Sequence, residues 1–262
     1  MLRGYLPLLP VLAGLVFAPT SGAIVAQPFT ASGTYLRPAG SPPSFQIGSG
    51  GFVEEIEAFL AGPGDALAAQ LSAQSPPAGL SLAFSSLLSA DTTDLHLFYD
   101  VTNTSGGALA GISFVSFVDA EIDEALNTFF NEFGETSGAL APGQGFEIDE
   151  PGFSFGDIFQ NARATSLDGL NAVPESAPED VSMALAFLIT SLGAGQTARF
   201  EMLFSEDGDS LGGLTLRQRD VDPRSTTVIT FSGAASIVPE PGTAALLALG
   251  AGALALRRRL MH

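Results

Sequence analysis

Apolar residues recur at every second position in several segments, and that period confines the chain to a small set of folds. Leu95, Leu97, Tyr99 and Val101 share one face, opposed by His96, Phe98 and Asp100. Ala198, Phe200, Met202 and Phe204 repeat the pattern against Arg199, Glu201 and Leu203. Leu80, Leu82 and Phe84 form a shorter set, and Ile112, Phe114 and Val118 another. A period of two matches the alternating faces of a half-buried strand, not the 3.6-residue turn of a helix. Val228-Ile229-Thr230-Phe231 is β-branched and aromatic, and reads as the last strand.

The connectors agree. Asn103-Thr104-Ser105-Gly106-Gly107 and Leu192-Gly193-Ala194-Gly195-Gln196 each separate two strand patterns. Gly and Asn reach positive φ at little cost, so both segments read as hairpin or Greek-key turns. Short strands joined by Gly-rich turns predict a mainly β fold, an antiparallel β-sandwich of jelly-roll or immunoglobulin-like type with few short helices. Two stretches have helical spacing: Phe52, Val53, Ile56, Phe59 and Leu60, and Ile122, Leu126, Phe129, Phe130 and Phe133. Either is also compatible with a strand or packed loop, because short apolar runs are ambiguous. No internal repeat or proline-rich linker divides residues 24–237, which are expected to form one domain.

Cysteine and tryptophan are absent and phenylalanine occurs 20 times, so stability must come from burial rather than disulfides. There is no lysine. Between the two ends lie six arginines (37, 163, 199, 217, 219 and 224), against 28 acidic residues if Glu240 is included, a charge near −22. Such a surface repels nucleic-acid phosphates and anionic headgroups, which excludes nucleic acid as a partner, and it attracts divalent cations.

Catalytic motifs are sparse. His96 is the one histidine outside the tail, with no second His or Cys to complete a zinc site. Gly48-Ser49-Gly50 lacks the spacing of a nucleophile elbow, and no phosphate-binding glycine pattern occurs. Carboxylates are numerous enough for glycoside hydrolysis, but sugar stacking would fall largely to Phe. The expectation is a protein that is not an enzyme and needs no resident cofactor. Two oxygen-rich groups could hold calcium: Asp119, Glu121 and Asp123 after one strand, and Glu206, Asp207 and Asp209 around Gly208 after another. Without a complete EF-hand pattern, a solvated acidic turn is the favoured reading of these groups.

The ends carry the strongest signals. Met1-Leu2-Arg3 and the apolar run Tyr5–Phe17 precede small residues at Ser21 and Ala23, so residues 1–23 read as a signal peptide cut after Ala23 by signal peptidase. Pro7, Pro10 and Pro19 argue against an uncleaved anchor. At the other end, Val238-Pro239-Glu240-Pro241 precedes the apolar run Thr243–Leu256 and the basic stop Arg257-Arg258-Arg259. Ala and Leu predict a helix over 243–256, about 21 Å long against about 30 Å of hydrocarbon. That length suits a transient anchor better than a permanent span. The arginines should stay cytoplasmic, with the body on the opposite side.

This order of motif, helix and basic stop over residues 238–262 resembles the PEP-CTERM sorting signal of Gram-negative bacteria. The resemblance implies recognition of Pro239-Glu240-Pro241 by an inner-membrane exosortase. It also implies export to the cell surface or beyond, and association with exopolysaccharide or biofilm. The motif is then a substrate of another enzyme's chemistry. The expected protein is a non-catalytic surface or matrix component. A carbohydrate- or calcium-binding module and a carboxylate-based glycoside hydrolase are the competing readings.

Overall fold

The computed structural model describes residues 29–37, 46–123, 130–152 and 154–238. The signal-peptide positions, with Ser21 and Ala23, and the tail from Pro239 through Glu240, Pro241 and Arg257-Arg258-Arg259 lie outside the described residues. The described chain forms, in order, β1 (Tyr35–Leu36), β2 (Gln46–Ile47), β3 (Gly51–Ala61), β4 (Ala69–Gln70), β5 (Leu80–Leu88), β6 (Asp94–Asn103) and β7 (Ile112–Ile122). It continues as β8 (Glu132–Ser137), β9 (Gln144–Asp149), the short helix α1 (Ile158–Arg163), β10 (Ser182–Ile189), β11 (Thr197–Ser205), β12 (Thr215–Asp220) and β13 (Val228–Val238).

These strands make two antiparallel sheets. The first runs β1-β3-β7-β10-β9, with β2 and β4 also paired to β3; the second runs β5-β6-β11-β13-β12-β8. They pack face to face as a sandwich. Leu95, Leu97, Tyr99 and Val101 of β6 and Phe200 of β11 meet Ile112, Phe114 and Val118 of β7 in one buried cluster. Phe114 stacks on Phe200 across the interface with centroids 4.4 Å apart, and Tyr99 lies 4.9 Å from Phe114. The Tyr99 hydroxyl donates to the Gly33 carbonyl at 2.7 Å, so this buried aromatic leaves no orphan polar atom. Gly33 sits at φ +77, and any Cβ there would run into the Tyr99 ring.

The first sheet is buried on both faces. Its outer side carries a second cluster in which Phe59, Val115, Phe117 and Ala184 meet Ile158 and Ala162 of α1. This explains Phe52–Leu60, whose helical spacing belongs to a strand. Val53 faces the sandwich core before a β-bulge at Val53/Glu55, and Ile56, Ala58 and Leu60 face it afterwards. The bulge slips the alternation by one residue, while Phe59 is buried on the other side. In the second stretch, Ile122 ends β7 and Phe133 belongs to β8; residues 124–129 lie outside the described ones.

The two Gly-rich connectors carry the chain between sheets rather than closing hairpins. They abut at one end of the sandwich, fastened by Asn103. Its Nδ2 donates to the carbonyls of Gly107 and Leu192, both at 2.8 Å, and its Oδ1 accepts from the Ser105 amide at 2.9 Å. A fully buried amide that satisfies both turns fixes where the sheets are joined.

Candidate functional site

The outer face of the first sheet becomes acidic toward one end. Glu55 of β3 lies opposite Asp119 of β7, which lies opposite Ser182 of β10, which lies opposite Asp149 of β9. Asp119 and Glu121 are 5 % and 7 % exposed, and Glu132 only 1 %. Ser182 Oγ donates to Asp119 Oδ1 at 2.8 Å, and the Ile122 amide donates to Glu132 Oε1 at 2.8 Å. Gln218 Nε2 from β12 donates to Glu132 Oε2 and to the Ala120 carbonyl, tying the second sheet to the acidic end of the first.

Burial dominates the acidity here. It pushes Glu55 up to about 7, helped by the Glu57 and Glu54 carboxylates, and Asp180 up to about 7, helped by Glu54 and Glu150. Asp119 is raised well above the carboxylate range by burial and then by Asp180. Glu121 is raised by burial and by Glu132; Glu132 is raised by burial despite the bonds from Ile122 and Gln218. Burial at this end thus favours the protonated form of each of these acids over the charged one.

A second acidic group sits where β5–β6 and β11–β12 connect. Oxygens of Asp94, Asp207 and Asp209 lie within 4.8 Å of one another. Ser205 Oγ donates to Asp207 Oδ1 at 2.7 Å and accepts from the amides of Gly208 and Asp209, which shapes the turn. Asp94 Oδ1 is shielded from solvent and has no hydrogen-bond partner. Burial raises the Asp94 pKa, while the Ser205 and Asp209 contacts lower that of Asp207.

The predicted calcium residues are thus distributed differently from their sequence order. Asp207 and Asp209 come together, and Asp94, which sequence reasoning missed, joins them because β6 pairs with β11 from Asp94↔Ser205 onward. Glu206 turns away; its carboxylate accepts from the Ser49 amide at 2.6 Å and the Ser49 hydroxyl at 3.0 Å. Asp119 and Glu121 lie on the first sheet, whereas Asp123 follows β7 at φ +50 and accepts from Ser225 Oγ at 2.5 Å. The other close acidic trio among the described residues, Glu147, Asp149 and Asp157, is occupied by donors: Asn161 and the Asp168 amide on Glu147, and the Asp157 amide on Asp149.

His96 is engaged on the outer face of the second sheet. Its Nδ1 lies 2.9 Å from Glu201 Oε1 and its ring stacks against Phe98. On the other side of that patch, Arg199 grips Asp100 through two bonds of 2.7 Å and lies over the Phe98 ring. A cavity of about 280 Å³ opens over the outer face of the first sheet, lined by Gly143, Gln144, Gly145, Thr165, Leu167 and Ala186, with no carboxylate among them.

The last site is the end of the fold itself. β13 runs to Val238, which pairs with Thr197 of β11. The architecture is therefore a two-sheet antiparallel sandwich whose final strand leads straight into a C-terminal segment. Residues 238–259 of that segment match the family model of the PEP-CTERM protein-sorting motif. The match starts on the strand's last residue. The chain thus carries the signal of an exported protein that an exosortase sorts at the membrane. No curated protein matches the chain. Among the described residues no helix is long and apolar enough to cross a membrane, and Thr243–Leu256 lies outside them.

Proposed function

We propose that this is a non-catalytic component of the extracellular matrix, held briefly at the inner membrane by its C-terminal helix and then released into an exopolysaccharide layer. The PEP-CTERM motif at residues 238–259 carries this reading. The body supports it: His96 is bound to Glu201, Asp119 and Glu121 of the first sheet are buried, and the Glu147 trio is filled by its own donors. Such a sandwich serves as a durable block rather than a reaction vessel.

The test is to express the full chain in a Gram-negative host with and without its exosortase gene and follow mass and location. A shortened form in the matrix fraction, dependent on that gene and lost in Glu240→Ala, is the expected outcome. Full-length protein retained in the membrane in both strains defeats the proposal.

The solvent-shielded, unpartnered Asp94 Oδ1 favours a second reading, in which Asp94, Asp207 and Asp209 hold calcium and stiffen the body outside the cell. A cation bound only to the native state raises Tm by mass action. Millimolar calcium should therefore raise the Tm of the wild type and leave Asp94→Asn/Asp209→Asn unmoved; equal curves with calcium and chelator would remove the site.

A further inference from the structure

The C-terminal half of β13 is held differently from its first half. β12 accompanies β13 only as far as Thr215↔Ser232, while β11 continues alongside to Thr197↔Val238. Gly233–Val238 is therefore held on one edge alone. Ala234, Ala235, Ser236 and Ile237 are all exposed, so the strand's two faces no longer differ in burial. Ile237 is 44 % exposed although its cross-strand neighbour Ala198 is fully buried. The composition is weak as well, since Gly and Ala are depleted in strands and bring little side chain to pack. Gly233 marks the border: a Cβ there would lie 2.7 Å from Met202 Cε and 2.8 Å from Phe187 Cζ, so the core closes on this residue and on nothing after it.

This loosely held strip ends where the sorting motif begins. Only Pro239–Gly242 separates Val238 from the apolar run, four residues that can reach at most about 14 Å at roughly 3.4 Å per residue. The headgroup zone alone occupies about 6 Å of that. A body with a charge near −22 would then be pressed against an anionic surface while a membrane enzyme reaches for Pro239-Glu240-Pro241. Releasing the five residues Ala234–Val238 lengthens that reach to about 31 Å. One-edge pairing and exposed side chains are the marks of a segment that opens locally at small cost.

We propose that Ala234–Val238 is a detachable strap: it peels from β11, hinging at Gly233, to present the sorting motif to the processing enzyme. This rests on the exosortase-sorted reading. Thr230–Ser232, gripped by both β11 and β12, stay in the sheet and keep the sandwich closed behind the strap.

The chain has no cysteine, so a disulfide lock is clean. Cross-strand neighbours lie close enough to be bridged. Arg199→Cys/Ser236→Cys fastens the strap near its free end, and Thr215→Cys/Ser232→Cys fastens the part that should not move. In the exosortase-bearing host, the first oxidised pair should abolish processing and the second should leave it at the wild-type rate. Inserting a six-residue Gly-Ser linker after Val238 in the strap-locked protein should restore processing, which a misfolded variant would not do. Normal processing of the locked strap, or no rescue by the linker, overturns the proposal. An unprocessed wild type is a different result, because it overturns the sorting reading first.

Discussion

The two halves of β13 contrast within one strand. In the first, Phe231 is fully buried, stacks on Phe204 with centroids 4.5 Å apart, and pairs with Phe204 on one side and Leu216 on the other. In the second, Ile237 has a neighbour on one side and solvent on the other. Backbone pairing to β11 continues through both, so the strand's grip comes from the second partner and the facing sheet, not from the ladder alone. Hydrogen bonds exchange protein for water at small net gain, whereas burying a phenyl ring does not have that offset.

The largest test of that difference is Phe231→Ala. Removing a stacked, fully buried ring should destabilise the fold by about 3–5 kcal/mol, read by denaturant unfolding. A loss below about 1 kcal/mol would mean the first half is no better anchored than the second.

A pH titration comes next, because the anchored half leans on the acidic end. Gln218 pairs with Ile229 of β13 and holds Glu132 by its amide. Glu55 and Asp180 are raised to about 7 in the folded protein, while unfolded carboxylates titrate near about 4. Between those values the folded state binds more protons than the unfolded one, so stability is greatest in acid and falls as pH rises through that window. Ionisation of Asp119, Glu121 and Glu132, also raised, extends the loss upward. Tm should be lower at about pH 8 than at about pH 5; a rising or flat profile would show that these acids are ionised in the fold. Glu132→Gln should flatten part of the slope.

The smallest effect should be Ile237→Ser, within about 0.5 kcal/mol by the same unfolding assay. Amide exchange sharpens the contrast without mutation: amides of Ala234–Val238 should exchange much faster than those of Thr230–Ser232. Equal protection across β13 would remove the basis for a strap.

What could be read beforehand follows the same physics. β6 and β11 show clean alternation because one face of the second sheet meets solvent, so apolar and polar residues separate by position. β3, β7 and β10 sit in a sheet covered on both sides, and there burial runs on almost without alternation, so the period of two is lost. The bulge at Val53/Glu55 then gave β3 the spacing of a helix. Asp207 and Asp209 were visible as a pair because they share a turn. Asp94 was not, since only the β6–β11 register brings it there. The burial of Glu132 could not be read either, because nothing local shows that the two sheets will close over it.

From the sequence alone came the sorting signal, the β class and the acidic character. Each is written in adjacent residues or in sums over the chain: motif order, period and net charge need no fold to be read. The tertiary structure decided which carboxylates are buried and pushed toward the protonated form, which acids meet around one turn, and which half of the last strand is held on both edges. Those outcomes depend on pairing between segments distant along the chain, and burial, unlike period, is a property of the neighbours a residue acquires on folding.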